Sequence, residues 1–101
     1  MKLPAIKKIV NRLCYDSQKA TVLASDCFWD GHNWERNCRN RWLMKSEGGR
    51  YFIVTATMWQ GEGDHIEPIE EEQVAISIYE DLPEHEVEFE QAFPGVRLED
   101  A

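Results

Sequence analysis

Two runs of strand-forming residues, Arg39 to Lys45 and Arg50 to Trp59, flank Ser46-Glu47-Gly48-Gly49, and no other feature of the chain limits its fold as much. The second run is rich in β-branched and aromatic side chains and the link is a turn signal, so the pair reads as an antiparallel hairpin. With Lys45 opposite Arg50, Met44 meets Tyr51 and Trp42 meets Ile53 on one face. Leu43 then meets Phe52 and Arg41 meets Val54 on the other. Both faces carry apolar residues. One should pack on a helix, and the other must be partly covered or serve as an interaction surface.

The remaining elements are arranged around this hairpin. Lys7 to Tyr15 reads as a strand with a break near Asn11 and Arg12. Ala20 to Phe28 reads as a second strand, Thr21, Leu23 and Ser25 on one face and Val22, Ala24 and Asp26 on the other, with a helix as the competing reading. Gln60 to Asp64 is a glycine-punctuated loop, and His65-Ile66-Glu67-Pro68 leads out of it. A helix follows, with Glu70, Glu71 and Glu72 in its first turn, where carboxylates oppose the positive end of the backbone dipole. Val74, Ile78 and Leu82 form its sheet-facing stripe, Ala75 and Tyr79 widen it, and Pro83 ends it. Glu86 to Glu90 alternates like a strand, yet Phe89, Ala92 and Phe93 at i, i+3 and i+4 favour a short helix closed by Pro94-Gly95. The expected fold is α+β, in a single domain over residues 1–101. It is an antiparallel sheet of about four strands packed on one main C-terminal helix, plus a short terminal helix.

Composition supports a folded globule: 43% of the 101 residues are apolar and 30% charged, too hydrophobic for a disordered tail. Residues 1–10 hold three lysines and no apolar run of signal-peptide length, and no stretch is long enough to span a bilayer. Cys14, Cys27 and Cys38 make an odd count without a CxxC pair, so no disulfide framework is expected and the cytoplasm is the natural compartment.

Charge divides the chain. Residues 1–50 hold ten Lys or Arg against five acids, a net of +5, whereas residues 51–101 hold only Arg97 against fourteen acids, a net of −13. Such a division bears on partners and solubility rather than on fold. It describes a solvated acidic face, or a surface of Glu70, Glu71, Glu72, Glu80, Asp81, Glu84, Glu86, Glu88 and Glu90 that meets a basic protein or nucleoprotein complex.

The segment from Cys27 to Trp42 offers other chemistry. Trp29, Trp34 and Trp42 are interleaved with Arg36, Arg39 and Arg41, a composition able to stack bases and neutralise phosphates, or to anchor a protein interface. The spacing stands against this, because a connection between strands usually sets its tryptophans over the core, and the arginines could instead pair with the acidic C-terminal half. Cys27, His32 and Cys38, with His65 as a fourth ligand, form a C-x4-H-x5-C spacing too loose for a zinc signature, and Asp64-His65-x-Glu67 is a weak cation motif. His32 and Glu35 could act as base and orienter beside a cysteine, but no nucleophile elbow or phosphate loop frames them. The expectation is therefore a binding protein without catalytic residues, metal or cofactor. A small metal-dependent enzyme or structural zinc protein is the remaining alternative.

Four ordered segments carry a resemblance: YDSQKATVLAS (15–25), WDGHNWERNCRN (29–40), GGRYFIVTATMWQGEGDHIEPIEEE (48–72) and YEDLPEHEVEFEQAF (79–93). In these the chain resembles a family of small, largely uncharacterised bacterial proteins often carried by phages and other mobile elements. It departs from that pattern at Asn37-Cys38, where the family favours His-Gly, and at Ile69, where the family favours a Ser cap. The first departure weakens any cysteine-based mechanism, and the second leaves the helix start without a side-chain cap. The resemblance implies no catalytic residue. By functional analogy it implies an inhibitor of the anti-CRISPR or antirestriction type, whose carboxylates occupy a basic nucleic-acid channel.

Overall fold

The computed structural model describes residues 3–26, 39–57 and 64–97. Among them, β1 (Lys7–Val10) and β2 (Leu13–Asp16) form a two-stranded antiparallel hairpin. Where a single broken strand was expected, Asn11 and Arg12 both adopt positive φ, 51° and 66°, and reverse the chain completely. Positive φ at both central residues marks the tight turn whose twist suits a hairpin, and Asn tolerates it better than most residues. Ser17 anchors the approach to the hairpin. Its buried hydroxyl accepts from the Ile6 amide at 2.9 Å and donates to the Pro4 carbonyl at 2.7 Å.

The main sheet has five strands among the described residues, in the order β6-β5-β4-β3-β7, every neighbouring pair antiparallel. Here β3 is Thr21–Ser25, β4 Arg39–Lys45, β5 Tyr51–Thr57, β6 His65–Ile69 and β7 Glu84–His85. The expected β4–β5 hairpin is present, but its register differs by one residue: Lys45 pairs with Tyr51, Met44 with Phe52, Leu43 with Ile53 and Trp42 with Val54. The cause is the turn. Ser46 donates its amide to the Arg50 carbonyl at 2.7 Å and accepts from Gly49 at 2.9 Å, while Gly49 takes φ +87°. Ser46 thereby joins the ladder opposite Arg50, and a three-residue loop with a left-handed glycine replaces the four-residue link expected.

Because side chains alternate along a strand, the register decides which residues share a face. Trp42, Met44, Phe52 and Val54 lie on one side and pack with Tyr15, Ile66 and the β1–β2 hairpin. Leu43, Tyr51 and Ile53 lie on the other and pack with the helices. Both apolar faces are thus covered, one by helices and the other by the N-terminal hairpin. A bulge in β3 serves the helical side: Val22 pairs with Met44 and Ala24 with Leu43, and the extra residue, Leu23, is buried in the helix-side core. It breaks the simple alternation expected for Thr21 to Asp26.

Two short strands complete the sheet where none was expected, so it has five strands among the described residues, with the β1–β2 hairpin separate, rather than about four in all. β6 is an edge strand bearing Pro68, a position that tolerates a residue without an amide hydrogen. β7 pairs with β3 through Ala24–His85 and Ser25–Glu84 and closes the opposite edge.

The main helix α1 spans Glu72–Asp81, so Glu70 and Glu71 precede it, and Glu71 occupies the N-cap without a side-chain cap. Its sheet-facing residues are Ala75 and Tyr79, with Leu82 buried just beyond, whereas Val74 is 46% exposed. Ile78 packs partly buried against the same core, so of the expected stripe and its widening residues only Val74 is turned away from the sheet. The short helix α2 is Phe89–Ala92, opened by a reciprocal capping box between Glu88 and Gln91. Phe93 is fully buried against Tyr51, Tyr79 and Phe89, at centroid separations of 5.2, 5.6 and 5.1 Å. No helix among the described residues is long and apolar enough to cross a membrane.

Candidate functional site

Eight of the nine carboxylates singled out in the sequence lie in or beside α1 and α2, whereas Glu84, paired with Ser25 and through it with Trp42, belongs to the hairpin face of the sheet. Glu70 and Glu71 lie between β6 and α1, Glu72 opens α1, and Glu80 and Asp81 close it. Glu84 lies in β7, Glu86 and Glu88 follow it, and Glu90 lies in α2. All are exposed except Glu84, which is half-buried. The stretch 70–93 contains no Lys or Arg. Among the described residues, none of the nine forms an ion pair with a cation.

A lysine on this side has another task. Lys45 Nζ donates to the Ala92 carbonyl at 3.4 Å and stands 5.6 Å from the centroid of the Tyr51 ring, so its charge lies at the C-terminal end of α2. The Tyr51 hydroxyl lies 3.3 Å from both Glu72 Oε2 and the Ala92 carbonyl. Sheet, α1 and α2 meet at this cluster.

The opposite layer has the opposite charge. The hairpin and its flanks carry Lys7, Lys8, Arg12 and Lys19, all exposed, against the single carboxylate Asp16. Lys8 Nζ donates to the Ile66 carbonyl at 3.3 Å and ties this layer to β6. The charge division along the sequence becomes a division across the sheet, because the N-terminal segment covers one face and the C-terminal segment the other.

Of the tryptophan–arginine patch, only Trp42 and Arg41 have described side chains. Trp42 is 4% exposed and belongs to the core beneath the hairpin, so it supplies packing rather than a stacking platform. Arg41 is exposed and engaged: its amide donates to Asp26 Oδ1 at 2.6 Å and its Nε lies 3.6 Å from Asp26 Oδ2. Arg39 contributes backbone to β4. Trp29, Trp34 and Arg36 lie outside the described residues, as do Cys27, His32, Glu35 and Cys38. His65 Nε2 is 3.6 Å from Glu67 Oε1, both exposed. Among the described residues no three His, Cys, Asp or Glu side chains group as metal ligands.

Sequence reasoning missed a cleft of about 520 Å³ between β7 and α2, with His85, Glu86 and Glu88 in its wall. His85 stacks on Tyr79 with centroids 4.0 Å apart and planes at 18°, and its Nε2 is 2.7 Å from the Tyr79 carbonyl. The Tyr79 hydroxyl donates to the Val87 carbonyl at 2.6 Å. Neither helical nor strand periodicity signals such a crossing. Only the concentration of Glu, His and aromatic residues between 79 and 90 hinted at it.

Burial raises the Tyr51 pKa above its usual value, reinforced by the charge and hydrogen bond of Glu72. Burial likewise raises Tyr79, reinforced by the charges of Glu88 and Glu90. Both groups are held neutral in the folded state, so their contribution is complete below the unfolded value of 10.0 and is lost as pH climbs through the folded values. Urea unfolding across the alkaline range should show the midpoint falling once pH exceeds about 10, less steeply in Tyr51→Phe than in the parent.

Comparison with known protein families, with curated proteins and with solved structures finds no match.

Proposed function

We propose that this chain is a non-enzymatic binding protein of the kind mobile elements carry, and that it inhibits a basic nucleic-acid-handling complex by presenting its acidic helical layer in place of nucleic acid. The observation that carries the reading is the segregation of charge: eight carboxylates without a cationic partner among the described residues lie in or beside the helices, on the layer opposite the lysine-bearing hairpin. A surface that used its acids for its own stability would pair them. Unpaired exposed carboxylates repel one another, and a partner rich in Lys and Arg relieves that repulsion while gaining steered association.

The test is affinity capture from a native host lysate at about 50 mM and about 500 mM salt, which shortens the Debye length several-fold. The expected result is a basic nucleic-acid-binding protein held at low salt and released both by high salt and by added DNA or RNA. A gel shift of nucleic acid by the protein alone, lost in Arg36, Arg39 and Arg41 to Ala, would instead support recognition through the tryptophan–arginine segment.

A further inference from the structure

We propose that the cleft between β7 and α2 receives an arginine side chain of the basic partner, an inference that rests on the binding function proposed above. It is open to solvent along its length, with about 520 Å³ of accessible space, so a side chain can enter without displacing any part of the fold. Its wall is held in place before any partner arrives. The Glu86 amide donates to the Leu23 carbonyl at 2.9 Å, which extends the attachment of β7 to the sheet. The bond from the Tyr79 hydroxyl to Val87 fixes the next residue, and the capping box with Gln91 fixes Glu88.

The chemistry on this frame suits a guanidinium. The carboxylate of Glu86 is exposed and makes no hydrogen bond or ion pair among the described residues, and Glu88 retains acceptor capacity beyond its single capping bond. Beside them the exposed His85 imidazole is held flat. A carbonyl only accepts, so its Nε2 carries the hydrogen directed at Tyr79, and the ring lies parallel to the tyrosine beneath it. A planar, weakly hydrated guanidinium can stack beside such rings while forking to carboxylates, whereas a compact ammonium can do only part of this. Charge complementarity therefore selects a cation, and the ring together with the two carboxylates selects arginine over lysine.

The experiment is an NMR titration of the full chain with capped hexa-arginine and capped hexa-lysine peptides. Hexa-arginine is expected to bind at least about fivefold more tightly, with the largest shifts from His85 to Gln91. Glu86→Gln should abolish that preference while the spectrum of the free protein stays folded and hexa-lysine affinity changes less than about twofold. Equal binding of both peptides, with shifts spread over residues 70–90 and lost in E80K/D81K/E90K, would overturn the arginine cleft while leaving the wider charge-based reading intact. Failure of both peptides to bind at low salt would overturn the two together.

Discussion

Phe93→Ala is expected to cost about 3–5 kcal/mol of folding stability, a large share of the roughly 5–15 kcal/mol available to a domain. Phe93 is fully buried at the end of α2 and meets three aromatic rings from three separate elements: Tyr51 of β5, Tyr79 of α1 and Phe89 of α2. Its ring is the point where the C-terminal segment joins the helical core. Removing it leaves a cavity that rings on the sheet and on α1 cannot both collapse to fill. The measurement is the urea midpoint at unchanged slope, with Phe93→Leu expected to lose less than about half as much. Val74→Ala is the informative contrast. At 46% exposure it should change stability by less than about 0.5 kcal/mol, whereas a Val74 packed against the sheet would cost more.

That contrast also shows what was legible in the sequence. The β4–β5 hairpin, the helix ended by Pro83 and the short helix at Phe89 each follow from local chemistry: a turn signal, a helical spacing and a proline. What escaped depended on a single residue of geometry or on contacts distant in sequence. The left-handed Gly49 closed the hairpin in a three-residue loop, one residue shorter than the expected link, and exchanged partners along the whole β4–β5 pair. Val74 and Ala75 are adjacent apolar residues on one helix, and only the sheet decides which of them is buried. β7 is two residues long and exists because β3 offers it an edge. The site was legible as composition but not as placement. Nine acids could be counted, yet only the topology sets eight of them across the sheet from Lys7, Lys8, Arg12 and Lys19 and turns Glu84 to the hairpin face, and it removes Trp42 from the rival patch by burying it.

The triple exchange Glu80→Lys, Asp81→Lys and Glu90→Lys is expected to weaken binding to the basic partner at least about 30-fold, equivalent to about 2 kcal/mol, with most of the loss recovered as salt rises. These positions suit the test better than Glu84, which is half-buried in β7, or Glu88, which caps α2. All three are exposed, and none forms an ion pair among the described residues. Glu80 and Asp81 stand in the last turn of α1, where a cation is more favourable than an anion against the backbone dipole. Glu90, near the start of α2, loses a comparable small benefit. Folding stability should therefore stay within about 1 kcal/mol of the parent, and lost binding will report recognition rather than unfolding. Unchanged affinity in a folded triple variant would remove the helical layer from the interface.

Whether the partner can hold this protein and nucleic acid at the same time is the most direct test of charge mimicry. Light scattering on size-separated mixtures of the purified partner, its nucleic acid and this chain gives the answer as a mass. Mutual exclusion is predicted: two binary complexes, with increasing amounts of this protein displacing the nucleic acid, and no displacement by E80K/D81K/E90K. A stable ternary complex of all three components would contradict the account.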